Sequence, residues 1–210
     1  PRDRSVARWL RRFTLKSLQA LVEINSQIVC EVIERERLPR LTIDIDGSVI
    51  TTGPSVSWAF RGFNPHHRKD PSYYPILAHL AQTGHILRVK NRPGNVHDSK
   101  GAVAFLRDLI EDLRIRLSRN LPLEFRMDGA FFQRGVIHLL ENRGATYAIR
   151  VPFFKWLGLV PLIRERRRWH PLPEGMGYFE LPLTVPAWEK TLRVVIYRKP
   201  VHHKSRKNYQ

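Results

Sequence analysis

Cysteine is almost absent: Cys30 stands alone among 210 residues. The chain therefore builds no internal disulfide and no thiolate zinc site, and a reducing cytosol suits it. Cys30 lies in an apolar helical pattern and reads as a small core residue. No apolar run approaches the ~18–20 residues that span a bilayer, so no membrane partner is expected. Pro1–Arg12 lacks the apolar middle of a signal peptide. Internal repeats and low-complexity tracts are also missing. Acids are scarce, with 19 Asp and Glu against 36 Lys and Arg, a formal net charge of +17. Such a surface suits a polyanion, because each phosphate it neutralises releases condensed counterions. A ribosome-associated or merely basic protein is the plainer reading. What is present is a hydrophobic fraction of 42%, enough for a real core and too much for wholesale disorder. The chain begins and ends inside charged, patterned sequence and reads as a piece of something longer.

Residues 4–37 read as helix, in one or two pieces, with Leu15, Leu18, Val22, Val29 and Val32 at helical spacing. Pro39 ends it. Leu41–Asp46 then alternates as a strand, with Ile43 and Ile45 on one face and Asp44 and Asp46 on the other. Val56, Trp58 and Phe60 suggest a second strand, and residues 61–72 a loop. Tyr73–Leu80 and His85–Lys90 read as two more strands, joined near Gly84. The string Arg92-Pro-Gly-Asn-Val-His-Asp-Ser99 turns into a helix that Asp98 or Ser99 would cap, with Val103, Leu106, Ile110, Leu113 and Leu117 as its buried stripe. Leu123–Met127 is a short strand before Asp128-Gly129. Phe131–Asn142 is a helix closed by Gly144, and Tyr147, Ile149 and Val151 start another strand. Strands first and β-α units after imply an α/β sheet of mixed direction. Beyond Pro152, prolines punctuate short apolar stretches such as Tyr178–Val185 and Thr191–Tyr197, a β-rich pattern. The expected organisation is a helical segment over 1–38, a core over 39–151, a β-rich insertion over 152–201 and a basic tail over 202–210.

Asp46 and Asp128 stand out by position. Each ends a strand just before glycine, where carboxylates of an α/β sheet project into the ligand crevice. Two such carboxylates can hold Mg²⁺ or Mn²⁺ through hard oxygen ligands, and metals paired ~3.5–4 Å apart suit phosphodiester chemistry. Turn-forming aspartate is the common alternative for each. Asp44 rivals Asp46 on the same face, but it lies further from the strand end and suits a salt-bridged strand position.

Three strings occur in order: Ile45-Asp46-Gly47-Ser48, then Arg92–Ser99, then Arg126-Met-Asp128-Gly-Ala-Phe-Phe132. Together they resemble the catalytic domain of bacterial insertion-sequence transposases of the DDE superfamily, in the IS-four-like branch with a β-rich insertion. The likeness covers roughly Leu41 to Val201. It implies a ribonuclease-H-like fold in which two aspartates and a glutamate hold two Mg²⁺ ions. Asp46 matches the first aspartate and Asp128 the second. It also implies metal-dependent DNA cleavage and strand transfer at element ends, dimeric assembly on DNA, and a bacterial cytoplasmic, nucleoid-associated location. The family's glutamate follows a Tyr-two-Arg-three-Glu-six-Lys pattern that has no match here: Pro200 stands where Tyr197 would need its Arg, and only Gln210 follows Tyr209. The expectation is therefore a chain that stops before its third carboxylate and is inactive alone. Glu165, in Arg164-Glu-Arg-Arg-Arg168, reads as a salt-bridged surface residue instead. A nuclease of the same fold without strand transfer, or a DNA-binding module whose acidic pair is structural, are the rival readings.

Other residues carry weaker signals. Arg164, Arg166, Arg167 and Arg168, with Arg193, Arg198, Lys199, Lys204, Arg206 and Lys207, gather charge with few acids nearby and are the expected DNA contacts. His66-His67 and His202-His203 lack zinc-ligand spacing and read as loop residues. His97 and Asp98 suit a helix N-terminus or a pocket. Trp58, Trp156, Trp169 and Trp188 fit either base stacking or a β core.

Overall fold

The computed structural model describes residues 2–62, 69–97 and 99–200. The chain divides between Val151 and Pro152 into two compact units. In the first, α1 (Arg2–Leu10) and α2 (Leu15–Arg35) precede β1 (Leu41–Gly47), β2 (Ile50–Thr51), β3 (Ser72–Tyr73), β4 (Ile76–Leu80) and β5 (Ile86–Lys90). Then come α3 (Ala102–Arg116), β6 (Leu123–Met127), α4 (Arg134–Asn142) and β7 (Thr146–Ile149). Five strands form one sheet in the order β5-β4-β1-β6-β7. Pairing is antiparallel from β1 through β4 to β5 and parallel from β1 through β6 to β7. This is the mixed α/β, ribonuclease-H-like sheet that the sequence implies.

The period-2 alternation of β1 and β6 decides which face is core. Leu41, Ile43 and Ile45 of β1 and Leu123, Phe125 and Met127 of β6 are buried beside Ile76, Ala78 and Leu80 of β4. Val29 and Ile33 of α2, Phe105, Leu106, Leu109, Ile110 and Leu113 of α3, and Val136 and Leu140 of α4 complete that single cluster. The intervening residues take the opposite face, which is exposed at Asp46, Val89, Arg126 and Ala148. Thr14 starts α2 with a reciprocal capping box, accepting from Ser17 N while its own N–H donates to the Ser17 hydroxyl.

Several expectations are corrected. Val56, Trp58 and Phe60 form no strand: Val56 N–H donates to Gly53 O and Ala59 N–H to Val56 O, both turn bonds. Only Phe60 bridges, to Ser72. Pro75 delays β4 to Ile76, since proline removes a ladder donor. The helix expected at Ser99 starts at Ala102 behind Gly101, whose φ of 78° makes it the non-helical boundary residue without a side-chain cap. Asp98 lies outside the described residues. Along α3, Leu106, Ile110 and Leu113 are buried as expected and Leu117 packs against the core, while Val103 is exposed and Phe105 and Leu109 join the buried face. Phe131 belongs to a short 3-10 turn, Gly129–Phe131, before α4 begins at Arg134. Cys30 is half-buried rather than fully enclosed.

The second unit contains α5 (Leu159–Glu165), β8 (His170–Pro171), β9 (Gly177–Val185) and β10 (Lys190–Arg198). β9 and β10 form a long antiparallel hairpin, from Lys190 opposite Val185 to Arg198 opposite Gly177, and β8 adds to its edge. Phe179, Leu183, Val185, Leu192 and Val194 are its buried side chains. Trp169 meets Phe179 edge-on at 4.8 Å between centroids, and the Arg198 guanidinium lies 4.5 Å from the Trp169 ring. The helix α5 is an addition to the β-rich expectation.

Candidate active site

The β1–β6 register builds the site. Parallel pairing sets Asp44 opposite Arg126 and Ile45 opposite Met127. The next residue in each case is an aspartate, Asp46 within β1 and Asp128 just past the end of β6. Neighbouring strands lie about 4.8 Å apart, so the two residues stand side by side where the parallel strands end. The extended backbone at Asp128, φ −78° and ψ −178°, continues the alternation. Both aspartates therefore project on the face away from the core, and both are exposed.

Local hydrogen bonds orient the two carboxylates. Asp46 Oδ1 accepts from Gly47 N–H at 2.8 Å. Asp128 Oδ1 accepts from Ala130 N–H at 3.0 Å, capping the turn that follows β6. A carboxylate anchored by one oxygen to its own turn presents the other side of the group in a fixed direction. Two exposed, acceptor-only carboxylates at one level fit a hard divalent cation, which takes oxygen ligands and keeps several waters. Among the described residues, no group of three or more His, Cys, Asp and Glu side chains could hold a metal ion.

Asp44 has a different fate. Arg126 grips it bidentately, Nε to Oδ1 at 2.5 Å and Nη2 to Oδ2 at 2.6 Å, and His79 Nε2 lies 3.3 Å from Oδ2. Chiefly through the Arg126 hydrogen bonds, its carboxyl is held below the usual range. Sequence reasoning misses Arg126 as a partner, although it stands at the same sequence offset from Asp44 as Asp128 does from Asp46. It misses Arg92 as well. This is a buried arginine whose Nε donates to Tyr74 O at 2.9 Å and whose Nη1 donates to His97 O and Lys100 O at 3.4 and 3.3 Å. The motif Arg92–Ser99 is thus stitched to the strands by its own first residue. His97 Nδ1 sits 2.7 Å from the Ser99 hydroxyl.

The basic candidates divide. Arg164, Arg166, Arg167 and Arg168 are exposed around the end of α5. Arg166 lies over the Phe179 ring at 4.7 Å. Arg193 is bound bidentately by Glu180 at 2.8 and 2.6 Å, which leaves it less available to phosphate than its exposure suggests. Lys199 is exposed. Lys204, Arg206 and Lys207, with both histidine pairs, lie outside the described residues. Glu165 ends α5, exposed and with no ion pair among the described residues. Trp58 and Trp156 are exposed, whereas Trp169 and Trp188 are half-buried.

A mixed sheet with paired carboxylates at the ends of its parallel strands describes the class. Residues 3–207 match the family model described as Transposase DDE domain group 1, and the chain belongs to that family. Among solved structures, the catalytic domain of Mos1 mariner transposase is 13% identical, over 75% of this chain and 76% of that one, with a TM-score of 0.40. A piggyBac transposase synaptic complex with hairpin DNA is 11% identical over 75% of this chain and 33% of that one, with a TM-score of 0.44. Mos1 transposase in a paired-end complex with the left transposon end is 16% identical over 60% of this chain, which spans 40% of that protein's length, at a TM-score of 0.38. No curated protein matches.

Proposed function

We propose that the chain carries part of the catalytic core of a bacterial insertion-sequence transposase that cuts and joins DNA. One observation carries this reading: the parallel register that makes Asp46 and Asp128 neighbours at the open end of the sheet. Membership of the DDE transposase family supports it. Asp46 and Asp128 hold Mg²⁺ or Mn²⁺ in a two-metal site of the complete protein. Such ions activate the attacking oxygen and stabilise the leaving one. The protein's own part is to fix the two carboxylates and to hold DNA phosphates with its basic residues. Water first attacks the phosphodiester at an element end, freeing a 3′-hydroxyl. That hydroxyl then attacks target DNA, its proton leaving as the new phosphodiester forms and the old bond breaks. The exposed cations Arg164, Arg166, Arg167, Arg168, Arg198 and Lys199 hold phosphates, and the complete protein works as a dimer on DNA at the nucleoid.

The DNA-binding module reading retains one specific support, the lack of a third ligand beside the aspartates among the described residues. Mn²⁺ binding to residues 1–210 separates the two, as does nicking of end-containing DNA in Mn²⁺ by a C-terminally extended chain, with residues 1–210 silent. On the catalytic reading, Mn²⁺ binds, and Asp46→Asn or Asp128→Asn each abolishes the binding. Asp44→Asn and Glu165→Gln leave it intact. Mn²⁺ affinity unchanged by Asp46→Asn would overturn the assignment, and nicking lost on Glu165→Gln would make Glu165 the third ligand.

A further inference from the structure

α2 is partnered on only part of its circumference. Ser26, Val29 and Ile33 are buried, the two apolar ones in the core cluster. On the flank towards α3, Glu23 takes hydrogen bonds from Arg116 at 2.8 and 2.6 Å. At 100° per residue, Leu21, Ile24 and Ile28 fall on a third side, away from both. They are 47%, 51% and 51% exposed, respectively. Leu15, Leu18 and Val22 are exposed as well. Leu21, Ile24 and Ile28 thus form an exposed apolar line of their own on α2, and such a line marks an interaction surface.

The sequence of that line points to its occupant. Leu21, Ile24 and Ile28 follow the alternating three-and-four spacing of a helix–helix seam. The line is self-complementary when a second copy runs antiparallel. With Ile24 on the two-fold axis, Leu21 of each copy meets Ile28 of the other. Charge selects the same direction. Residues 11–22, which lead into and begin α2, hold the three cations Arg11, Arg12 and Lys16 and no acid. Residues 23–37 hold the four acids Glu23, Glu31, Glu34 and Glu36 against two cations, Arg35 and Arg37. A parallel pair would set the cationic ends together, whereas an antiparallel pair sets each against the acidic end of its neighbour. The opposed helix dipoles favour that arrangement too.

We infer that α2 is a homodimerisation surface on which two copies of this chain pack as an antiparallel, two-fold helix pair centred on Ile24. The pairing is isologous, one patch against itself, and so closes at two subunits. It needs neither DNA nor metal, and it stands independently of the metal-site reading.

The test is sedimentation of residues 1–210 without DNA. A concentration-dependent dimer is expected, and Leu21→Glu with Ile28→Glu raises its dissociation constant by at least roughly tenfold. Because both positions are exposed, thermal unfolding of that variant should match the parent chain at concentrations well below the dimer's dissociation constant. Arg11→Glu with Arg12→Glu weakens the dimer, as does Glu31→Lys with Glu34→Lys, and combining all four restores it. A Cys30→Ser, Ile24→Cys chain, with its cysteine on the axis, oxidises to a covalent dimer, whereas Leu15→Cys in the same background stays monomeric. A monomer at every concentration overturns the proposal, as does a monomer whose patch binds anionic vesicles instead. Dimers that survive Leu21→Glu with Ile28→Glu, or charge reversals that fail to compensate, overturn the assigned surface and direction.

Discussion

Asp44 and Arg126 face each other across the parallel β1–β6 pair, two residues along each strand from Asp46 and Asp128. One aspartate is consumed by an arginine, and the next meets another carboxylate. Asp44→Asn and Arg126→Met should each lower stability by roughly 0.5–1 kcal/mol, because the pair is only partly shielded from solvent. Urea unfolding of both single variants and the double variant should show a coupling of similar size at neutral pH. The folded carboxyl of Asp44 is depressed, so its stabilisation is present above the unfolded value of about 4 and is lost as pH falls through the folded value. Coupling that persists in strong acid would show that the ion pair is not its source.

On the proposed reading, the carboxylates of Asp46 and Asp128 repel until a cation sits between them. Adding Mn²⁺ should therefore raise the melting temperature of residues 1–210. At about one hundred times the dissociation constant, the gain is roughly 2.7 kcal/mol. In Asp46→Asn and Asp128→Asn the Mn²⁺ increment should vanish, while melting without metal stays the same or rises. A full Mn²⁺ response in both variants would place the ion elsewhere.

Duplex DNA should bind with little sequence preference and a steep salt dependence, given a net charge of +17. Replacing Arg164, Arg166, Arg167 and Arg168 by Gln should flatten the slope of log affinity against log salt by about one for each phosphate no longer neutralised. Arg193→Gln should change it less, since Glu180 already holds that guanidinium. An unchanged slope in the fourfold variant would remove this cluster from the DNA interface.

Gly94, inside the Arg92–Ser99 motif, packs against backbone. A Cβ there would collide with Phe60 O, Ser72 O and the Ser72 hydroxyl, while Gly94 N–H already donates to Ser72 O at 2.8 Å. Gly94→Ala should cost about 1–3 kcal/mol as an overpacking change, read as a lower urea midpoint. Gly84→Ala meets no neighbour, but its φ of 74° imposes strain on any side chain. Its cost should be about 1 kcal/mol. Equal, negligible effects at both positions would contradict the close packing at Gly94.

The aspartates and their strands were legible because β1 and β6 alternate strictly and each runs into an Asp-Gly turn, both of which are local signals. Val56, Trp58 and Phe60 alternate just as well, yet no neighbouring strand pairs with that run, and a strand exists only where a partner supplies its hydrogen bonds. The helix α5 was hidden by Pro161, which reads as a breaker. It occupies the first turn, where a backbone N–H has no helical acceptor anyway, so the proline costs nothing. Arg126 looked like one more surface cation because its importance comes from Asp44, which is far away in sequence and adjacent only once register is known. The exposure of Leu21, Ile24 and Ile28 was likewise invisible, since periodicity cannot say which of two apolar stripes meets the sheet.

The parallel β1–β6 pairing also governs timing. Asp46 and Asp128 belong to strands whose pairing closes a long loop, and no hairpin brings them together early. Loop-closure entropy must be met before that pairing returns any stability, so such non-local structure forms slowly. During synthesis β1 leaves the ribosome and folds back on β4 and β5 while its carboxylate still has no companion. For the 82 residues from Asp46 to Asp128, a nascent chain therefore carries only half of the proposed site. The proposed carboxylate pair is complete only after β6 has docked, when the core beneath the two strands can close.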